Sequence, residues 1–189
     1  NHFVLGNFYE GLKGAADVFY FMPLTRYVNT LLFTLFGDTV LGSVFIISFF
    51  PILIFKFLNL FFNDKTTKYF VIIFIFFPIF ESLGFTMINY INFTVDGYGE
   101  GLCYFFLILL SFFYFRNDEY KSKFFLIGVL SFMVIGIRPN YIALIYPLII
   151  GYILYLFLNR RIIDETYKKI FLLISGASLV LLIPIHNYV

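Results

Sequence analysis

The sequence predicts an all-α protein: a polytopic bundle of about six transmembrane helices, preceded by an interfacial amphipathic helix on the outer face. Composition is the first reason. Of 189 residues, 61% are hydrophobic, 24% aromatic and only 13% charged, with a mean hydropathy of +0.93. A soluble domain holds roughly 45–50% apolar and about 25% charged residues, so a water-soluble globule, a disordered tail and a nucleic-acid module are all excluded. The second reason is spacing. Apolar runs fall at 39–62, 69–88, 100–115, 124–137, 141–158 and 170–186, near the ~20 residues that a spanning helix needs. The third is continuity: the runs do not alternate apolar with polar residues, as barrel strands would.

Taken in order, residues 1–38 form an outer-face segment ahead of the bundle. Leu24, Tyr27, Val28, Leu31, Leu32, Leu35 and Phe36 recur at helical spacing, with Thr25, Arg26, Asn29 and Thr30 on the other side. Only Phe33 breaks the pattern. Pro23 suits the start and Gly37 the stop, which predicts a helix lying in the membrane interface. Residues 39–189 supply the six spans of a single domain, 1–189. The 124–137 run is short for a crossing and is expected to tilt, thin the bilayer or end in a protein-lined cavity. A start at Asn1, with no signal-peptide layout in the first 20 residues, predicts a fragment truncated upstream and at its C-terminus as well.

Charge placement predicts sidedness. The segments after the first, third and fifth runs carry Lys65, Lys68, Arg116, Lys121, Lys123, Arg160, Arg161, Lys168 and Lys169, nine of the thirteen basic residues. By the positive-inside rule that side is cytoplasmic. Lys13, Arg26 and Arg138 belong to the other side, while Lys56 sits in the first run near its cytoplasmic end and is expected to snorkel. A net charge of +2 points to no polyanionic partner. Cys103, alone in an apolar run, reads as a small core or lipid-facing residue, and His2 and His186 are too far apart to suggest zinc.

Few polar groups remain on the outer face. Asp96 and Glu100 stand four apart, so that they share one helical face or simply cap its N-terminus. Arg138 precedes Pro139, where a helix must end or bend; it reads as a cation at a helix C-terminus or as a phosphate clamp. Glu81 lies inside the second run, an ionisable group that needs either hydration from a cavity or a cation such as Arg26 or Arg138. Asp17 and Glu10 are loop acids ahead of the interfacial helix, and Asn92-Phe93-Thr94 is an N-glycosylation sequon.

Three segments in order resemble the GT-C superfamily of integral-membrane glycosyltransferases, mannosyltransferase-like members in particular. They are Met22-Pro23-Leu24 with a helix closing on Leu35-Phe36-Gly37-Asp38, then Gly97-Tyr98-Gly99-Glu100-Gly101-Leu102 opening a span, then Gly128 to Arg138-Pro139-Asn140. The resemblance covers most of residues 17–158. It implies inverting transfer of a sugar from a polyprenyl-phosphate donor to a hydroxyl of a glycan, lipid or protein acceptor, on the non-cytoplasmic face. A bacterial inner membrane is preferred over the endoplasmic reticulum. The expected catalytic base is an acid upstream of this fragment, with Asp17 as the fallback. Glu100 would orient hydroxyls or hold Arg138. Arg138, and more weakly Arg26, would steady the leaving phosphate, with Asn140, Asp96, Glu81 and Tyr98 as further substrate-binding candidates. No protein metal site is implied; a divalent cation is the one cofactor the resemblance admits. The alternative is a secondary transporter or a lipid-linked-oligosaccharide flippase, although no internal repeat supports it.

Overall fold

The computed structural model describes residues 23–37, 39–76, 87–95, 99–116, 120–158 and 163–182, and all regular structure among them is helical. In chain order the helices are α1 (Pro23–Phe36), α2 (Leu41–Ser48), α3 (Phe50–Leu58), α4 (Asp64–Phe76) and α5 (Met87–Val95). Then come α6 (Glu100–Phe115), α7 (Lys121–Ile137), α8 (Ile142–Leu158) and α9 (Ile163–Ala177). Short 3-10 turns at Pro139–Tyr141 and Ser178–Leu181 follow α7 and α9.

α1 starts and stops where its punctuation places it. Pro23 lacks the N–H that a first turn leaves unused, and Gly37 takes φ +78°, a left-handed stop that favours glycine. Its facing departs from the simple amphipathic expectation. Leu24, Val28 and Leu32 turn inward, but Tyr27, Leu31 and Leu35 of the same apolar arc are exposed, and Thr25 from the polar side packs against the protein. The inward direction is displaced toward Thr25 because Gly99, having no side chain, leaves room for it.

α2 and α3 form one apolar segment with a break at Phe49. Pro51 has no N–H for the Ile47 carbonyl and its ring crowds that carbonyl, so the turn tightens and the Phe49 N–H donates to the Ile46 carbonyl at 3.1 Å. Lys56, in the last turn of α3, is exposed. Leu41–Leu58 is long and apolar enough to cross a membrane by length and composition. Among the described residues, Glu100–Phe115, Ser122–Ile137 and Pro139–Tyr155 are apolar but shorter.

Several boundaries move from their expected places, each for a local reason. α4 begins at Asp64 because Asn63 caps it: the Thr66 N–H donates to Asn63 Oδ1 at 2.9 Å, and Asn59 Nδ2 donates to Asp64 Oδ1 at 2.8 Å. α5 occupies residues expected to be loop. Met87, Tyr90 and Ile91, three and four apart, pack on buried Ile47 and Phe50, and this face outweighs Asn89 and Asn92. α7 starts at Lys121 rather than 124, since Lys123 buries its stem and donates its Nζ to the Arg116 carbonyl at the end of α6. α9 starts at Ile163, well before the apolar run at 170, and its first turns carry Thr166, Lys168 and Lys169.

The main core gathers Leu102, Cys103 and Leu110 of α6 with Ile127, Val134 and Ile137 of α7, Ile145 and Tyr152 of α8 and Leu173 of α9. A smaller cluster joins Ile47, Phe50 and Tyr90. The tightest crossing is between α7 and α9. A Cβ at Gly128 would overlap the Leu173 carbonyl and lie 2.7 Å from the Ala177 nitrogen; one at Gly176 would overlap the Phe125 carbonyl and lie 2.9 Å from the Val129 nitrogen. Every one of these obstacles is backbone. Lys169 Nζ lies 5.5 Å from the ring centre of Phe124, so the two helices run in the same direction.

Ring contacts bring the described basic residues Lys65, Lys68, Arg116, Lys123, Lys168 and Lys169 to one end of the bundle. Phe61 meets Phe115 at 5.4 Å, Tyr114 meets Tyr152 at 4.8 Å and Phe124 meets Tyr152 at 5.9 Å. The ends of α3, α6 and α8 thereby join the starts of α7 and α9, and Asn59 ties α4 to the same place. Gly128→Val or Gly176→Val is expected to lower stability by about 1–3 kcal/mol, as overpacking does. Gly151→Ala, at a helical position with open space around it, is expected to be neutral or stabilising. Equilibrium unfolding of the purified chain checks all three.

Candidate functional site

At the end opposite the basic segments, the chain places two charges at the helix termini that favour them. Glu100 opens α6, where exposed amides stabilise an anion, and Arg138 follows the last residue of α7, where exposed carbonyls stabilise a cation. Pro139 keeps Arg138 out of the helical region, at φ −139° and ψ 95°, which ends α7 and turns the side chain away from its axis. The Arg138 N–H still donates to the Val134 carbonyl at 2.9 Å, and its carbonyl accepts from the Tyr141 N–H at 3.1 Å. The residue is therefore held by backbone on both sides.

The two charges meet: Arg138 Nη2 pairs with Glu100 Oε1, with the side chains 26% and 30% exposed. The second carboxylate oxygen, Oε2, is buried and accepts no hydrogen bond. The pair is thus one-legged, unlike the bidentate fork that Arg and carboxylates often make. A buried acceptor left unmet costs about 1–3 kcal/mol, and more for a charged group. The Thr25 hydroxyl of α1 is the other buried polar atom without a partner among the described residues. It packs where a Cβ on Gly99 would sit 3.1 Å from it and 3.1 Å from Ile137 Cγ2. Gly99 thus lets α1 approach the start of α6 and the end of α7 together.

An aromatic wall lies beside the pair. Tyr104, one turn after Glu100, meets Tyr141 edge-on at 6.3 Å, and Tyr90 meets Tyr104 at 5.5 Å. Cys103 is buried in the core, its thiol 3.9 Å from the Val134 carbonyl. Spacing flags the two tyrosines once Glu100 and Arg138 are in hand, since Tyr104 stands four residues after the first and Tyr141 three after the second. Thr25 carries no such mark in the sequence.

The structure thus brings Glu100 and Arg138 together and places Asn140, exposed, on the adjoining 3-10 turn. Arg26 neighbours Thr25 on α1; partial burial pushes the Tyr27 phenol up, and the Arg26 cation opposes that shift. Asp17, Glu81, Asp96 and Tyr98 lie outside the described residues. Among the described residues, no group of three or more His, Cys, Asp or Glu side chains stands close enough to hold a metal ion. A cavity of about 30 Å³ lies among Leu110, Ser111, Tyr114, Ile127, Ser131 and Tyr152, toward the basic end and apart from the ion pair.

A double-mutant cycle over Glu100→Gln and Arg138→Met is expected to give a coupling energy on the order of 1–2 kcal/mol, as for a half-buried pair. Equilibrium unfolding measures it, and a coupling near zero would mean that the charges are independently solvated. Compared with protein-family models, curated proteins and solved structures, the chain matches none.

Proposed function

We propose that this chain is part of a multi-pass membrane glycosyltransferase that moves a sugar from a polyprenyl-phosphate carrier to an acceptor hydroxyl on the non-cytoplasmic face, with inversion. The carrying observation is that Glu100 and Arg138 meet at the end of the bundle opposite the basic segments.

The membrane setting draws support from the surface. Leu41, Phe45, Ile52, Phe76, Leu144, Ile150, Leu154, Phe171 and Ile174 are all exposed, on many sides of the described helices. Each such side chain loses about 1.5–3 kcal/mol if left in water rather than apolar surroundings. Hydroxyls follow the same logic: Ser111 donates to the Leu107 carbonyl at 2.9 Å, Ser131 to Ile127 at 2.7 Å and Ser175 to Leu172 at 2.9 Å. Bonding within their own helices satisfies them without water. The 16 residues of α6 rise about 24 Å, less than a hydrocarbon core of about 30 Å, a mismatch that a bilayer meets by thinning.

In the reaction, the acceptor oxygen attacks the anomeric carbon, the bond from that carbon to the phosphate oxygen breaks, and the phosphate leaves with the electron pair. Arg138 stabilises the charge gathering there, as a preorganised cation can. Glu100 orients hydroxyls at the same site. A carboxylate takes the acceptor proton, which requires hydrogen-bond reach; Asp17 is the fallback for that role. A transporter would place its polar groups near the bilayer midplane, whereas this pair sits at a helix end.

With the full-length protein, Arg138→Ala is expected to cut sugar transfer from a polyprenyl-phosphate donor by about 100-fold or more, and Glu100→Gln to reduce it strongly. Normal transfer in both variants would overturn the assignment. Sidedness has its own check: cysteines introduced at Ser122 and Val95 are expected to label from opposite faces of the membrane.

A further inference from the structure

We infer that Glu100 is a resident stand-in for the ligand's phosphate on Arg138, a latch that an incoming phosphate must displace. This rests on the proposed reading of the site as one that binds a lipid phosphate. Three observations carry it. The guanidinium that would hold the phosphate is already engaged by Glu100 Oε1. That engagement is incomplete, because Oε2 is buried and unmatched. A donor stands unused at the same helix end, the Thr25 hydroxyl against Gly99.

The donor's phosphodiester offers what the carboxylate does not use, two non-bridging oxygens along the guanidinium edge in parallel hydrogen bonds, and the monoester left after transfer adds further negative charge. The exchange breaks one ion pair and makes a better one. It also releases Glu100, whose two oxygens become free to accept from a substrate hydroxyl or from Thr25. Latch and release involve the same carboxylate, so an empty site keeps the end of α7 tied to the start of α6 and a filled one does not. Because ligand and Glu100 compete for Arg138, apparent affinity is lowered by the fraction of protein in the latched state.

The test is direct binding of a short-chain polyprenyl monophosphate to the full-length protein in detergent, with the matching prenol and inorganic phosphate as separate arms. Glu100→Gln, which removes the competing charge at constant shape, is expected to bind the monophosphate about 10-fold tighter than wild type, and Arg138→Met to lose that binding in either background. The prenol arm is expected to be unaffected by both changes. Binding of inorganic phosphate with the same tightening in Glu100→Gln would place the recognition in the phosphate alone. Should Glu100→Gln fail to fold, Glu100→Asp, which keeps the charge but withdraws it from Arg138, is expected to tighten binding about 3-fold. Equal or weaker binding on loss of the carboxylate, with wild-type binding still dependent on Arg138, overturns the latch and leaves the site reading standing. Absence of any Arg138-dependent phosphate binding overturns both.

Discussion

The backbone contact between α7 and α9 is the constraint on which the rest of this structure depends. Gly128 and Gly176 meet so closely that either side chain would collide with carbonyls and amides of the facing helix. Two helices at that distance have little freedom to slide or rotate. α7 then serves as the common neighbour of α6, α9 and α1, and its C-terminal end delivers Ile137 and Arg138 to the place where α1 and α6 begin. In the bilayer that we propose for this chain such contact would matter more than burial, because lipid tails solvate leucine as well as a neighbouring helix does.

A second constraint follows from the scarcity of polar groups. Charges withdraw to the ends of the helices. Lys123 reaches the carbonyl left open at the end of α6, while Lys56 sits in the last turn of α3. The described basic residues thus accumulate at one end, and the opposite end keeps a single described ion pair set among tyrosines. Each charge of that pair is first a helix-end charge, favourable to the dipole of its own helix. Their meeting is what turns two capping residues into a candidate site.

Much of the architecture was legible in the residues. The run at 100–115 and the helix from Pro23 closing at Gly37 reappear with the expected bounds, because glycine, proline and sharp changes in polarity mark them. The break at Arg138-Pro139 was equally plain, since proline restricts the residue before it. Less legible were the helices that start in polar sequence. Asn63, Lys123 and the turns around Thr166 to Lys169 look like loop to a hydropathy reading, yet capping and a buried lysine stem extend the helices through them. α5 was hidden for a related reason: only three residues on one face make it helical, and they do so by docking on Ile47 and Phe50.

By itself, then, the sequence determined that the chain is helical and apolar, where most helices break, and which segments carry the basic charge. These are properties of local composition and of the backbone limits of proline and glycine, and no distant residue is needed to state them. Only the tertiary structure decided which face of α1 turns inward, that Gly128 serves a helix crossing, and that Thr25, Tyr104 and Tyr141 gather around Glu100 and Arg138. Those outcomes depend on how closely helices distant in sequence can approach, and approach is set by side-chain volume at both partners together.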